Sequence, residues 1–188
     1  MKMSEMENAS GVRDEQNLLS RVALKDEKAF EDLYQQYSQR VFRYAHLRLG
    51  DKHVAEEVVQ ETLWAVWQGA HRYRERSKPS TWIFGIAHNK VVDHLKKRIR
   101  QNQIDEEFQI PIDAEAGPNL FKHELLHSAL AKVSEPCRDA IILSFFYRFN
   151  YKEIGEILGC NEGTVKNRVF RGKEQLRNFL ESESCLGR

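Results

Sequence analysis

Cysteine is scarce in this chain. Three occur among 188 residues, Cys137, Cys160 and Cys185, widely spaced and odd in number. No disulfide framework and no CxxC pair can be drawn from them, so a reducing cytoplasm is the expected compartment. Long apolar runs are missing too, and the polar N-terminus lacks the apolar core of a signal peptide, so no membrane insertion is expected. There is no Gly-rich phosphate loop and no HExxH. The length suits one or two small domains with real cores and is short for a large enzyme.

An excess of charge is also lacking, with a net of +1, but that total hides an uneven distribution. Residues 1–70 carry a net −3, residues 71–100 a net +7, residues 101–120 a net −5 and residues 121–188 a net +2. A strongly basic block is followed directly by an acidic one.

What is present is helical periodicity. The stretch 151–180 is the most informative. Tyr151, Ile154, Ile157 and Leu158 recur at three- and four-residue spacing and predict a short helix with one apolar face. Gly159 stops it, and Asn161 is a good N-cap for a second helix. There Val165, Val169, Leu176 and Leu180 form the inner stripe, and Gly172 allows a close approach. Lys166, Asn167, Phe170 and Arg171 lie off that stripe. This is the layout of a helix-turn-helix whose second helix enters the DNA major groove, where Arg pairs with guanine and Asn with adenine. Lys166, Arg168 and Lys173 are placed to hold phosphates. The competing reading is an ordinary helical hairpin with a solvated basic face.

Residues 1–13 are polar and expected to fray. From Asp14 to Leu49 apolar spacing, including Leu33, Tyr34, Tyr37, Val41 and Tyr44, predicts two helices with a break near Lys25-Asp26-Glu27. Gly50-Asp51 closes that segment and caps a third helix reaching about Gln68, with Ala55, Val58, Val59, Thr62, Leu63 and Val66 inside. Glu57, Gln60, Glu61 and Trp64 fall mainly on its other side. Trp64 is either an interface anchor or tucked into a neighbouring helix.

The segment 71–80, HRYRERSKPS, interleaves cations with a tyrosine, which fits an unpaired strand whose phosphates meet the charges and whose bases stack on rings. Ser80 is expected to cap the helix that follows, with Ile83, Ile86, Ala87, Val91 and Leu95 inside. Asn89, Lys90, Lys97 and the basic end at Lys96–Arg100 remain for a partner. Trp82 is open to two readings, core anchor or wedge against an unpaired base. Residues 101–120 hold five carboxylates, two prolines and no Lys or Arg, and read as a tether. Fully extended it spans about 66 Å, roughly 19 base pairs of duplex. A second domain follows, with a helix through Phe121, Leu125, Leu126, Ala129, Leu130 and Val133. Another starts at Ser134-Glu135-Pro136 and has Ala140, Ile141, Ile142, Leu143, Phe145 and Phe146 as its apolar body.

Three blocks in this order and spacing, LGDKHVAEEVVQETLWAVW (49–67), STWIFGIAHNKVVDHLKKR (80–98) and YKEIGEILGCNEGTVKNRVFRGKEQLR (151–177), resemble the bacterial extracytoplasmic-function (ECF) sigma factors of the sigma-70 family. The resemblance implies an all-α fold: two small helical domains joined by a flexible acidic linker, the C-terminal one with a helix-turn-helix. It implies region 2 over 14–100, the linker over 101–120 and region 4 over 121–183. It assigns Asp51, Glu57, Gln60, Glu61 and Trp64 to core RNA polymerase, whose clamp helices and flap the family engages. Arg72, Tyr73, Arg74, Arg76, Lys78, Trp82, Asn89, Lys90 and Lys97 would recognise and open the −10 element of promoter DNA. Thr164, Lys166, Asn167, Arg168, Phe170 and Arg171 would read the −35 element, with Asn167 standing where the family often has Ser. The resemblance further implies control by an anti-sigma factor, often membrane-anchored in the family, with no catalytic chemistry and no cofactor.

Two rivals remain from the residues themselves. A nuclease would use Asp51, Glu56, Glu57 and Glu61, although these follow helix spacing without converging. A ligand- or metal-sensing helix-turn-helix regulator acting without core polymerase would use His123 and His127, four apart, with Cys137 nearby in sequence.

Overall fold

A few capping side chains set where the helices start and stop. The computed structural model describes residues 2–102, 126 and 128–186, and all regular structure among them is helical. In chain order these are α1 (Lys2–Ala23), α2 (Glu27–Leu49), α3 (Lys52–Gly69), a 3-10 turn (Ala70–Arg72), α4 (Pro79–Asn102), helical residues 128–131 (α5), α6 (Glu135–Phe145), α7 (Tyr151–Leu158) and α8 (Glu162–Leu186). They form two compact units, one holding α1, α2, α3 from His53 onward and α4, the other α5 to α8. The expected all-α, two-domain class is what the chain adopts. Residues 103–125 of the tether and of the helix after it lie outside the described residues, as do His123 and His127.

In the first unit, Asp26 organises the corner between α1 and α2. Its Oδ1 accepts the Ala29 N–H at 3.1 Å, and its Oδ2 accepts from Arg21 Nε at 2.9 Å and Nη2 at 2.7 Å. The Ala29 N–H first, then the Arg21 guanidinium, hold this carboxyl below its ordinary value. α1 begins at Lys2, well ahead of Asp14, because the Met, Glu and Ala residues there are good helix formers, with Gly11 the weak point. Gly50, at φ 69°, ends α2 in the left-handed conformation. All six inner positions expected on α3 are buried. Tyr34 departs from expectation and is exposed, whereas Phe84 is fully buried, its ring 5.8 Å from that of Tyr44. The Arg40 guanidinium also lies over the Phe84 ring at 5.5 Å, and the burial of Phe84 widens the buried stripe of α4 beyond the spacing-based set.

In the second unit α6 is buried nearly all round from Cys137 to Leu143, and its last turn emerges. Phe145 and Phe146 are therefore 53% and 47% exposed rather than part of the apolar body. α7 opens with a reciprocal capping box: Asn150 Oδ1 accepts the Glu153 N–H, and Glu153 Oε2 accepts the Asn150 N–H, both at 2.9 Å. Gly159, at φ 64°, closes α7. Asn161 Oδ1 then accepts the Thr164 N–H at 2.8 Å and caps α8. Two glycines permit close packing. A Cβ on Gly155 would lie 2.6 Å from the Cys160 carbonyl oxygen, and one on Gly172 would lie 2.7 Å from Ile141 Cγ1. Val165 and Val169 are buried as expected, but the stripe fades along α8, with Leu180 exposed.

Candidate nucleic-acid interface

α7 and the Asn161 cap fix the start of α8, and the burial of Val165 and Val169 fixes its rotation. Lys166, Asn167, Phe170 and Arg171 consequently share the exposed side, with Phe170 60% exposed despite its apolar ring. Lys166, Asn167 and Phe170 flank a shallow cleft of about 500 Å³ bounded also by Tyr151, Gly163, Val169 and Lys173, whereas Arg171 lies outside it. The other two expected residues sit differently. Thr164 Oγ1 donates to the capping Asn161 Oδ1 at 3.0 Å, and Arg168 Nη1 donates to Cys160 Sγ at 3.5 Å, folding its side chain back on the turn. Lys173 Nζ lies 5.0 Å from the Phe145 ring.

In the first unit the basic loop leaves the 3-10 turn and returns into α4. Arg72, Arg74 and Arg76 are exposed, and Glu75 takes φ 54°. Tyr73 is the exception: its hydroxyl donates to the Ser77 carbonyl, and its ring lies 5.5 Å from Trp82 at a 47° tilt. Burial pushes the Tyr73 phenol up; a hydrogen bond with Gln16 works against this, while Glu75 and Glu15 add to it. α4 starts one residue before the expected cap. Lys78 precedes it, its carbonyl accepting the Trp82 N–H at 3.1 Å, and Ser80 is already inside and buried. Proline at the first position suits a helix start, since its missing N–H has no partner to lose. Trp82 is half-buried against Gly69 and Tyr73, so the ring is partly core and partly accessible.

Further along α4, Asn89 and Lys97 are exposed. Lys90 turns toward α3, where its Nζ lies 3.4 Å from Glu61 Oε2, and His94 Nε2 lies 3.5 Å from Glu61 Oε1. A residue expected to face polymerase and one expected to face DNA thus meet in an ion pair. On α3 itself Glu57 and Gln60 are exposed and Trp64 is 62% exposed, so its indole is not tucked into a neighbour; Asp51 is half-buried ahead of the helix.

Sequence reasoning missed the involvement of α1, which packs against the Ala70–Arg72 turn. Contacts across such a distance in sequence leave no periodic signal. Among the described residues no group of three His, Cys, Asp or Glu could hold a metal ion, and no helix is long and apolar enough to cross a membrane.

Comparison with known proteins adds an independent line. Residues 33–101 match the Sigma-70 region 2 model, and residues 123–176 match the Sigma-70, region 4 model. The chain is 30% identical over 166 residues to the ECF RNA polymerase sigma factor SigE of Mycolicibacterium smegmatis, a match covering 83% of this chain and 63% of that one. It is 30% identical over 154 residues to the ECF RNA polymerase sigma factor SigL of Mycobacterium tuberculosis, covering 79% of this chain and 87% of that one. Among solved structures, the sigma factor RpoE of Bartonella quintana, crystallised with the anti-sigma factor NepR, superposes with a TM-score of 0.73 at 28% identity, covering 82% of this chain and 98% of the other. Matches to both regions in sequence order, together with the 30% identity to SigL, lead to one conclusion: the chain belongs to the ECF family of RNA polymerase sigma factors.

Proposed function

We propose that this chain binds core RNA polymerase and directs it to promoters, with region 2 over 14–100, a linker over 101–120 and region 4 over 121–183. The observation that carries the reading is the exposed polar face of α8, Lys166, Asn167 and Arg171, in the same chain as the exposed basic loop beside Tyr73 and Trp82. The first reads the −35 element in the major groove, and the second holds the −10 strand once it is unpaired. Single-strand contacts offset part of an unstacking cost of a few kcal/mol per step. The chain itself makes no bond and needs no cofactor; the synthesis is the polymerase's, in the cytoplasm.

Glu57, Gln60 and Trp64 on α3 form the clamp-facing surface, with Glu61 available once it exchanges its α4 partners. In the second unit an apolar groove of about 1010 Å³, lined by Leu130, Ile141, Phe145, Phe146 and Leu180, fits a helix of the polymerase flap or of an anti-sigma factor. The Bartonella quintana relative bound to NepR supports an inhibitor of that class. The test is transcription in vitro with added core polymerase, followed by mapping of start sites. Defined start sites sharing −35 and −10 elements are the expected result, and core polymerase left undirected in the absence of any inhibitor refutes it.

A further inference from the structure

Glu61 on α3 is met by two side chains of α4. Its Oε2 lies 3.4 Å from Lys90 Nζ, and its Oε1 lies 3.5 Å from His94 Nε2. Lys90 and His94 are four residues apart, so one face of α4 presents both to the same carboxylate. Neither separation is that of a charge-assisted hydrogen bond, about 2.7–2.9 Å between a cationic N–H and a carboxylate oxygen. The His94 Nε2 is buried and has no hydrogen-bond partner among the described residues. What holds Glu61 is therefore mainly the Lys90 charge, at a separation open to exchange. Accessibility allows that exchange: the Glu61 side chain is 37% exposed and that of Lys90 33%, against 10% for His94. Glu61 can be approached from outside, Lys90 can swing away on its flexible four-carbon stem, and His94 stays in the interface.

We propose that Glu61 couples the two partners of the first unit: in the free chain it withholds Lys90, and core polymerase, by taking Glu61 with a basic side chain of its own, releases Lys90 to the unpaired −10 strand. The inference rests on the reading given above, in which Glu61 faces polymerase and Lys90 faces DNA. While the pair is closed, Lys90 offers a phosphate little net charge, because the carboxylate beside it repels the same phosphate. Once polymerase neutralises Glu61, that repulsion ends and the ammonium is left without its partner. The coupling is reciprocal: the factor that polymerase lends to the Lys90 contact is returned by DNA to polymerase binding.

The experiment uses the full chain and core polymerase, with equilibrium titration in the absence of DNA reading core affinity. Lys90→Gln leaves Glu61 without its competitor, so core affinity should rise by about two- to fivefold, the range an exposed ion pair supplies. In a Glu61→Gln background, where core binding is itself weaker, the same Lys90→Gln change should add nothing. The second readout is binding of a single-stranded oligonucleotide to the polymerase-bound chain across a salt series. The oligonucleotide carries the non-template −10 sequence of a promoter mapped with the wild-type protein. There Lys90→Gln should reduce the slope of log affinity against log salt by about 0.7, one phosphate contact on a single strand. Core affinity of Lys90→Gln at or below the wild-type value overturns the inference. So does a gain that persists with Glu61→Gln, or a salt slope that Lys90→Gln leaves unchanged. Wild-type protein that directs core polymerase to no start site overturns the promoter reading and this inference together, whereas failure of the titrations alone leaves the promoter reading standing.

Discussion

Asn167 and Arg171 sit four residues apart on the exposed side of α8, so one helix face presents both to a groove, with Phe170 between them. In the proposed −35 contact each group would recognise a different edge: the amide an adenine, the guanidinium a guanine, the ring a thymine methyl. Arg171→Ala should cost about 1–3 kcal/mol of promoter affinity and relax preference at one −35 position. Transcription from a randomised −35 library checks this, and an unaltered base preference would count against the contact. A second substitution tests the turn that aims this face. Gly155→Val puts a Cβ 2.6 Å from the Cys160 carbonyl oxygen, a backbone atom that cannot step aside. The variant should lose at least about 1–3 kcal/mol of stability, the usual range for overpacking, read as a lowered urea midpoint. The exposed set on α8 was legible in the sequence because burial of Val165 and Val169 dictates which residues face out. The inward turn of Arg168 onto Cys160 was not, since two rotamers of one long side chain give the same spacing.

At the scale of whole helices, the same contrast separates α3 from α4. The inner stripe of α3 was readable because it is a single clean face, and its outer face follows by subtraction. The partners of that outer face were not readable, because Glu61 meets Lys90 and His94 across helices. An exposed ion pair of this kind contributes about 0–1 kcal/mol, little enough for polymerase to displace. Trp64 is therefore expected to dominate the α3 surface: Trp64→Ala should weaken core polymerase binding by about 2 kcal/mol or more, as buried aromatic anchors do, with an unchanged circular dichroism spectrum. Polymerase pull-down at the wild-type level would refute that role. For α7, the reciprocal cap between Asn150 and Glu153 was written in the sequence as an Asn three residues ahead of a Glu, a signal overshadowed by the apolar run that starts at Tyr151. Asn150→Ala should cost about 1 kcal/mol, measured as a shift in denaturant midpoint at constant slope.

For the whole molecule, the question is what sets the separation of the two proposed DNA contacts. The two units are joined through residues 101–120, whose five carboxylates and lack of Lys or Arg oppose any hold on the duplex. Two roles can be distinguished physically. If the segment is a ruler, its length limits the −35 to −10 spacing, and lengthening it shifts the preferred spacer. If each unit is seated on the polymerase, the polymerase is the ruler and the segment only keeps the units at high effective concentration. Fully extended, the twenty residues reach about 66 Å, the length of roughly 19 base pairs, which caps the separation without setting it, and we expect the polymerase to be the ruler. Doubling the segment with Gly and Ser should then cost only about 0.6 kcal/mol, close to a threefold loss of affinity. The preferred spacer should stay the same. Cutting the chain within the segment should instead lose promoter activity by orders of magnitude, because the second contact becomes bimolecular. Promoter templates with graded spacers, transcribed by core polymerase with the wild-type, lengthened and cut proteins, separate these outcomes. A preference that moves to longer spacers in step with the insertion would make the tether, and not the polymerase, the measure of the promoter.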